Sequence, residues 1–401
     1  MPGFSLKIKK MIKAIPEDFL VEEIAELPLT EKGEFQVYKL TKKNWTTPDL
    51  VRFLAKLLSI SPKAIAYGGK KDKHGITSQH ITIRSHKNFS LKEPNFSLEA
   101  IGFMKKPMSP ALIKGNRFQI TVRRLATPER LLQNLEEVRI YGFPNFFDDQ
   151  RFRGVDPRLG FFADKILRGH YNGALQIFLQ SQNISSSDKK NQERIAKIIE
   201  SWRDWEKCLQ LAEGLTEKRI FRTLLLRPDD FLAALEKIPR EEISMAYAAF
   251  GSHLWNELLR RLLKAKIKDL KEVEGESGIY LFWRKLDEET LNYLQPLKLP
   301  TPAAKMQFPD DLSRNLYWQL LEENNLKFSS FRTRALSRVF FRSFQRKVLL
   351  YPQELEIKEI RNDELYPGKK ALVLSFSLPR GAFATMLIKR IQLDEDSETS
   401  S

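Results

Sequence analysis

The sequence contains one cysteine, Cys208, and five histidines in 401 residues. A lone thiol excludes an intramolecular disulfide and any metal cluster that needs several cysteines. The histidines do not follow the H-E-x-x-H spacing, nor do they pair with cysteines as in zinc sites. We therefore predict a protein without a metal, and the scarcity of cysteine fits a reducing, cytoplasmic location.

Long apolar segments are absent as well. No run reaches the roughly 18 apolar residues that a membrane-spanning helix requires. Residues 1–13 are basic with scattered apolar side chains, and they lack both the continuous apolar core and the small-residue cleavage site of a secretory signal. We expect no membrane association and no export.

Two common catalytic patterns are also missing. Residues 69–75 do not match the G-x-x-x-x-G-K-[ST] pattern of phosphate-binding loops, and the acid in the middle of this stretch would repel a phosphate. No G-x-S-x-G elbow supports catalysis by a Ser/His/Asp triad. The sequence therefore disfavours both a P-loop enzyme and a serine hydrolase.

Positive charge, in contrast, is in excess. There are 67 Lys and Arg against 51 Asp and Glu, which gives a formal net charge of +16. Residues 394–401 carry four acids and no base, so the rest of the chain stands at +20, and this acidic tail is predicted to be disordered. Such an excess attracts polyanions. Taken alone, it also fits a basic, well-solvated surface without a dedicated partner.

The first part of the chain alternates strand and helix patterns. Residues 35–40 have strand-like spacing, and Thr47-Pro48-Asp49 supplies an N-cap, a proline at the first helical position and an acid. Apolar residues from 50 to 58 follow at helical spacing. Apolar and polar residues then alternate at 81–84 and 118–123, as in half-buried strands. The pattern predicts an α/β region.

The middle of the chain favours helix. An apolar stripe at residues 195–209 has helical spacing throughout, and further helices are predicted at 229–238 and 241–264. Strand patterns return at 348–350 and 372–378. Strand-rich ends around a helix-rich centre favour an inserted domain over three domains in series, because a separate set of about 60 C-terminal residues would be marginally stable.

We therefore predict an α/β (α+β) fold with an insertion. The catalytic domain would comprise residues 1–153 and 339–393. Residues 154–338 would form a mainly helical inserted domain, followed at the chain end by the acidic tail, residues 394–401.

The densest cluster of reactive side chains lies at residues 68–75, Gly-Gly-Lys-Lys-Asp-Lys-His-Gly. Its glycines allow the backbone to approach a ligand closely. Three lysines surround one carboxylate, Asp72. Because neighbouring cations favour ionised aspartate, Asp72 would be a nucleophile or a base and not a proton donor. A surface turn whose lysines only solvate the loop fits the same pattern.

A second cluster, residues 142–153, combines aromatic rings, an amide and cations. Aromatic faces stack on unpaired bases, and Asn or Gln can read base edges. An aromatic core segment that closes a turn is the alternative. This alternative is expected to hold for at least one of the two rings, because adjacent Phe146 and Phe147 cannot both face one pocket in an extended segment.

Together these clusters resemble the TruD family of pseudouridine synthases. The family pattern A-G-x-K-D-R-x-A-x-T-x-Q is matched at Gly69, Lys71, Asp72, Thr77 and Gln79. The pattern G-x-P-N-Y-F-x-x-Q-R-F is matched at residues 142–152, with Phe146 in place of Tyr. Three more elements follow family order: E-D-F-x-V-x-E within residues 16–23, G-N-x-F at 115–118 and F-x-L-P-x-G-x-Y-A-T at 376–385. Residues 247–261 resemble the family's Q-S-x-L-F-N segment only loosely.

The chain departs from the family pattern at several positions. They are Lys73 for Arg, Gly68 and Gly75 for Ala, Phe383 for Tyr, and Arg390 for a usual acid. Lysine at position 73 keeps the charge but loses the bidentate geometry of arginine. The departures indicate a divergent member of the family.

The resemblance implies a catalytic domain with a central mixed sheet, interrupted by a TruD-specific domain. It further implies isomerisation of uridine to pseudouridine, without cofactor or metal, typically at position 13 of transfer RNA. RNA is then the expected partner, and we expect the protein to be a monomer. Two alternatives remain open: another RNA substrate, or a catalytically silent RNA-binding protein on the same fold.

The resemblance also implies roles for individual residues. Asp72 would start glycosidic cleavage, either by covalent attack or by abstracting a sugar proton. Phe147 corresponds to the family's stacking phenylalanine, and Asn145 would lie beside it. Phe19 is a second pocket candidate and Lys13 a partner for the carboxylate. The expected supporting residues are Lys71, Lys73, Thr77, Gln79 and Arg151.

Overall fold

The computed structural model describes residues 11–85, 87–152, 155, 158–184, 188–276, 278–332 and 335–393. The chain divides into two compact units: unit 1 contains Met1–Phe143 and Leu350–Ser401, and unit 2 is Pro144–Leu349. The predicted α/β class with an inserted region is confirmed. The predicted domain boundaries at 153/154 and 338/339 stay predictions, and the acidic tail lies outside the described residues.

Unit 1 begins with strands and two helices. In chain order they are β1 (Phe19–Ala25), β2 (Phe35–Lys43), α1 (Thr47–Leu57), β3 (Ile65–Tyr67), β4 (Ile76–Ile83), β5 (Leu91–Glu93), β6 (Phe96–Met104), β7 (Ile113–Leu125) and α2 (Glu129–Tyr141), followed by the two-residue β8 (Phe143–Pro144). The N-cap of α1 is Thr46, whose hydroxyl accepts from the N–H of Asp49. The predicted cap, Thr47, is wrong by one residue, because its buried side chain bonds elsewhere.

Unit 2 is mainly helical. Its helices are α3 (Phe162–Leu167), α4 (Tyr171–Ile184), α5 (Lys189–Glu200), α6 (Trp205–Leu211), α7 (Leu215–Leu226), α8 (Phe231–Leu235), α9 (Arg240–Lys266), α10 (Glu288–Leu294) and α11 (Asp311–Glu323). Its strands pair antiparallel as β9 (Lys271–Gly275) with β10 (Gly278–Phe282) and β11 (Lys298–Pro300) with β12 (Gln345–Lys347).

The single helical stripe predicted at residues 195–209 is wrong. The chain forms two helices there, α5 and α6, separated at Arg203, which has a φ of 79°. Asp204 then caps α6 by accepting from the N–H of Lys207. The apolar spacing continued through the break because residues of both helices face the same core.

After the insertion, four elements complete unit 1: β13 (Leu349–Leu350), β14 (Gln353–Asn362), β15 (Lys370–Pro379) and α12 (Ala384–Ile391). The chain returns to unit 1 at Leu350, the second residue of β13. Helix α12 packs on α2, where the Asn134 amide donates to the carbonyls of Ile391 and Leu393. Arg390, where the family has an acid, is fully buried and donates to Glu137 at 2.9 Å. The departure therefore has a partner of opposite charge.

The central sheet of unit 1 is mixed. Its nine strands run in the order β14-β15-β7-β1-β4-β2-β6-β5, with β3 paired to β4. The β1–β4 pair is parallel and the other neighbours are antiparallel. Apolar residues of α1, such as Leu50 and Leu54, pack on Tyr38, Leu40 and Ile81 of the sheet.

This topology places the loop at residues 68–75 at one end of the central strands of the sheet. In the parallel pair, Leu20 near the start of β1 lies opposite Ile76 at the start of β4. In the antiparallel pair, Lys43 at the end of β2 also lies opposite Ile76. The loop, which leads directly into β4, therefore meets the start of β1 and the end of β2.

No helix among the described residues has both the length and the apolar character needed to cross a membrane.

Candidate active site

Two glycines let the loop at residues 68–75 pack tightly. Gly75 has a φ of 129°, and a Cβ at this position would lie 2.5 Å from the carbonyl oxygen of Phe19. A Cβ on Gly68 would lie 2.6 Å from the side chain of Ile113. Both replace alanines of the family pattern, and in this chain the backbone geometry requires glycine at 75.

Asp72 lies in this loop with its carboxylate partly accessible. Its side chain is 32% exposed, and the Lys13 ammonium, 12% exposed, lies 3.1 Å from its Oδ2 atom. The same ammonium lies 3.8 Å from the centre of the Phe19 ring, which is buried. Three of the predicted site residues are thus brought together, with a cation directly against the carboxylate.

Lys42, which the sequence analysis did not identify, holds the main chain at Asp72. Its Nζ atom donates to the carbonyl oxygens of Asp72 at 2.5 Å and Trp45 at 2.7 Å. The side chain is fully buried. Burial lowers the pKa of Lys42 to about 8, although the negative charge of Asp72 opposes the shift. This lysine is therefore a cation that titrates near physiological pH.

A hydrogen-bond network ties the loop to α1 and β4. The Thr47 hydroxyl donates to Gln79 at 2.8 Å and accepts from the Lys71 N–H at 3.0 Å. The Gln79 amide in turn donates to the carbonyl of Gly69 at 3.1 Å. Thr47 and Gln79 are both fully buried, so this network fixes the backbone on either side of Lys70.

Lys71 belongs to a second buried network. Its ammonium donates to Asn116 at 2.6 Å and lies 3.0 Å from the Glu23 carboxylate, which is fully buried. Burial would raise the pKa of Glu23, but hydrogen bonds from His80 and the charge of Lys71 outweigh it, so the pKa lies below its ordinary value. Glu23 and Lys71 therefore form a buried ion pair that anchors the loop to β1.

The two other supporting residues predicted near Asp72 occupy different environments. Thr77 is fully buried in β4, directly opposite Lys42 of β2, and among the described residues its hydroxyl has no hydrogen-bond partner. Lys73 is exposed, and its charge helps to lower the pKa of Asp49. The loop thus carries two exposed lysines, Lys70 and Lys73, beside the anchored Lys71.

Asn145, Phe147 and Arg151 belong to unit 2. Asn145 is buried and already fully engaged: its amide donates to the carbonyl of Lys347 at 2.9 Å, and its Oδ1 and carbonyl oxygens both accept from Arg346. Arg346 is buried as well, and burial together with the charge of Arg151 lowers its pKa to about 9. Arg346 therefore fixes the main chain and side chain of Asn145.

Phe147 is held on several sides. The Arg346 guanidinium lies 4.0 Å from the centre of its ring, and Trp255 packs edge-on at 5.5 Å. Its N–H donates to Asn256, whose amide returns a hydrogen bond to the Phe147 carbonyl. Only 5% of Phe147 is exposed. The neighbouring Phe146 is fully buried against Tyr280 and points elsewhere.

Phe147 and Arg151 line a cavity of about 460 Å³ within unit 2, which we call the unit 2 cavity. Arg151 also donates to the Ser252 hydroxyl at 3.1 Å. The remaining lining residues come from α9, from Thr301 and Pro302, and from residues 338–344; they are Arg240, Ser244, Tyr247, Ala248, Gly251, Ser252, Arg338, Val339, Phe340, Phe341, Arg342 and Phe344. The volume is within the range of small-ligand sites, roughly 300–1,000 Å³.

The sequence held a signal for some of the missed residues. Lys42 follows Tyr38 and Leu40 at period two, so the strand pattern placed it on the buried face of β2. Trp255 and Asn256, the partners of Phe147, lie in the segment that resembled the family only loosely. Arg346 had no such signal, because its burial depends on contacts made across 200 residues.

No group of three or more His, Cys, Asp or Glu side chains suited to a metal ion occurs in the part of the chain that the structure describes.

Comparison with known proteins gives a consistent result. A family model described as tRNA pseudouridine synthase D (TruD) matches residues 5–391. A relative named "Probable tRNA pseudouridine synthase D 2" in Methanocaldococcus jannaschii is 34% identical over 94% of this chain and 90% of its own length. The tRNA pseudouridine synthase D of Leptospira interrogans is 29% identical over 95% and 96% of the two chains.

A solved structure shares the fold. The crystal structure of a TruD protein from Methanosarcina mazei superposes with a TM-score of 0.69, covering 96% of this chain and 94% of that one, at 24% identity.

Proposed function

The chain belongs to the tRNA pseudouridine synthase D (TruD) family, and from this membership we propose that it isomerises uridine 13 of tRNA, with Asp72 as the reacting carboxylate and without a cofactor. The family assignment makes the protein an isomerase that forms pseudouridine in tRNA. The target position, the reacting residue and the independence from a cofactor are the proposal. The observation that carries it is the partly exposed Asp72 carboxylate 3.1 Å from the Lys13 ammonium.

The reaction needs a carboxylate that is ionised and accessible. Isomerisation breaks the bond between N1 of uracil and C1′ of the ribose and forms a bond between C5 and C1′, while a proton leaves C5 and another is taken up at N1. No oxidant or reductant is consumed. Asp72 starts the sequence either by attacking C1′ or by removing the proton from C2′, and both routes require its unprotonated form.

The surroundings of Asp72 supply what either route needs. The Lys13 ammonium lies against the carboxylate, and cations at the loop can stabilise negative charge on the detached uracil. Lys42, Thr47 and Gln79 hold the backbone, so the carboxylate needs little reorganisation before it reacts. Phe19, packed under the Lys13 ammonium, is a wall residue of the same site.

The target uridine must leave its stack, which costs a few kcal/mol. We propose that stacking of a base on Phe147 in unit 2, together with phosphate contacts to lysines and arginines, offsets this cost, while Asn145 fixes the backbone beside Phe147. Arg346 supports this role, because it fixes both residues in place. Arg151 lines the same cavity and adds positive charge there.

The proposal is tested with a tRNA transcript that carries uridine at position 13 and a matched transcript with cytidine there. After incubation with the protein and a chelator, pseudouridine is mapped by carbodiimide labelling and primer extension. We expect one new stop, at position 13 of the uridine transcript only. Pseudouridine at another position would contradict the assigned target, and tight tRNA binding without product would favour a silent binder.

The two routes are separated with the same transcript deuterated at C2′ of the target uridine. Proton abstraction by Asp72 predicts a slower single-turnover rate with deuterium, since the C2′–H bond breaks in that step. Attack at C1′ predicts nearly equal rates.

A further inference from the structure

We propose that the unit 2 cavity binds an unpaired nucleotide of the RNA, with residues 338–344 as the principal contact. This segment is called the 338–344 clamp below. The inference rests on the proposed function, since it takes RNA to be the ligand. It assigns base stacking to Phe340 and Phe344, and phosphate binding to Arg240, Arg338 and Arg342.

Two of the three aromatic rings of the clamp are accessible. Phe340 and Phe344 are each 53% exposed, whereas Phe147 in the same cavity is 5% exposed. A phenyl ring that is half exposed can offer a face to an unpaired base, and such stacking contributes roughly 1–3 kcal/mol per base. Phe340 and Phe344 are therefore better stacking platforms than the enclosed Phe147.

The clamp is nevertheless held in place. Phe341, between the two exposed rings, turns inward and stacks on Tyr247 at 4.8 Å and against Phe331 at 5.1 Å. The Phe344 N–H donates to the Thr301 hydroxyl at 3.0 Å, and the Thr301 N–H donates to the Phe344 carbonyl, also at 3.0 Å. The rings are thus presented by an ordered backbone, which reduces the entropy lost on binding.

The charges around the cavity select an anion. Four arginines line it, and none of its described lining residues is Asp or Glu. Arg338 is anchored to the carbonyls of Glu236 and Ile238, while the Arg342 guanidinium lies 4.8 Å from the centre of the Phe340 ring. One guanidinium group can bind two phosphate oxygens at once, and it can also stack on an aromatic ring. Arginines beside phenyl rings can therefore bind a phosphate and a base next to each other.

A single-stranded nucleotide satisfies every part of this site. It carries a planar base for an exposed ring and a phosphate for the arginines, within a cavity of about 460 Å³. An acidic peptide would satisfy the arginines but would leave both phenyl rings without a stacking partner.

The test measures tRNA affinity of the full chain by fluorescence anisotropy. Phe340→Ala combined with Phe344→Ala should raise the dissociation constant about tenfold. Trp318→Ala is the matched control, because Trp318 is another exposed aromatic residue of unit 2, 59% exposed, outside the cavity. Thermal unfolding of the double variant should match that of the control, since the removed rings are exposed.

The role of the arginines is tested through the salt dependence of tRNA affinity. Arg342→Ala and Arg240→Ala should each reduce the slope of log Kd against log salt by about 0.7, the value for one phosphate contact on a single strand. Arg314→Ala, exposed on α11, should leave the slope unchanged. Affinities and slopes equal to those of the controls would overturn the proposal. The measurement requires no turnover, so a failure to form pseudouridine would count against the proposed function and not against this site.

Discussion

Units 1 and 2 present positive charge to their candidate sites in different ways. In unit 1 the cations near Asp72 are lysines, and one of them lies on the carboxylate itself. In unit 2 the cations that line the cavity are arginines, one of which, Arg342, stacks on the Phe340 ring, and no described lining residue is an acid. Lysine is a compact point charge, whereas the planar guanidinium of arginine stacks on flat groups and binds phosphate through two parallel hydrogen bonds. The difference separates a site suited to chemistry from one suited to holding RNA.

The two units also share one device. Each has a buried cation that donates to main-chain carbonyls beside a candidate site residue: Lys42 to Asp72, and Arg346 to Asn145. Burial lowers both pKa values, to about 8 and about 9 respectively. Burial of each cation costs solvation free energy, and the hydrogen bonds of the cation fix the backbone at the site.

The comparison predicts that changes in unit 1 lower kcat while changes in the unit 2 cavity raise KM. Apart from loss of Asp72 itself, the largest of these effects is expected for Lys13→Met, which removes the ammonium 3.1 Å from Asp72 but keeps most of the side-chain volume. We expect kcat to fall about 100-fold, because one charge that acts on the reacting groups is lost. Lys39→Met is the control, since Lys39 pairs with Glu22 on the surface of unit 1. An equal fall in both variants would contradict a specific role of Lys13.

Lys42→Met should have a smaller effect on kcat, roughly 10-fold. It leaves the carbonyls of Asp72 and Trp45 without their donor, at a cost of about 1–3 kcal/mol each. Lys43→Met, whose side chain pairs with Glu17 instead, is the matched control. A similar kcat in both variants would show that Lys42 does not position Asp72.

The pH profile sharpens the Lys42 prediction. With its pKa lowered to about 8, the lysine is charged below that pH and neutral above it. The cation beside Asp72 is therefore present below pH 8 and lost as the pH rises through it, so the wild-type kcat should decline there. Lys42→Met should lack this alkaline limb, and the same limb in the variant would assign the titration to another group.

The smallest effect is expected for Phe147→Leu in unit 2. We expect KM for tRNA to rise about fivefold, the lower end of the stacking range, because only 5% of the ring is exposed. Phe146→Leu provides the control, since that ring is fully buried against Tyr280 and does not line the cavity. A fall in kcat with unchanged KM for Phe147→Leu would contradict the prediction that unit 1 determines kcat and the unit 2 cavity determines KM.

Much of the fold could be predicted from the sequence where one face of an element is buried. The alternation around Ile81 and at residues 372–378 predicted β4 and β15, both of which carry core residues. Strand β14 was missed. It is an edge strand, exposed along most of its length and rich in charge, so its residues have no apolar alternation to detect.

The candidate site was predictable to the extent that it is local. Asp72, Lys71 and Gln79 lie within one motif, and their proximity follows from the chain itself. Residues that act across the sheet or the insertion, such as Lys42 and Arg346, depend on tertiary pairing. Period two placed Lys42 on the buried face of its strand, but only the register with β4 brings it to the loop.

The central claim, that Asp72 is the reacting carboxylate, is tested most directly by Asp72→Asn in a single-turnover assay with unmodified tRNA. The variant keeps the shape of the side chain and removes its charge. Asp311→Asn, at an 82% exposed aspartate of unit 2, controls for the substitution type, and mass spectrometry verifies that the introduced asparagine has not deamidated. We predict no detectable pseudouridine from Asp72→Asn, with tRNA affinity within about twofold of wild type. Pseudouridine formed at a rate within about tenfold of wild type would contradict the account.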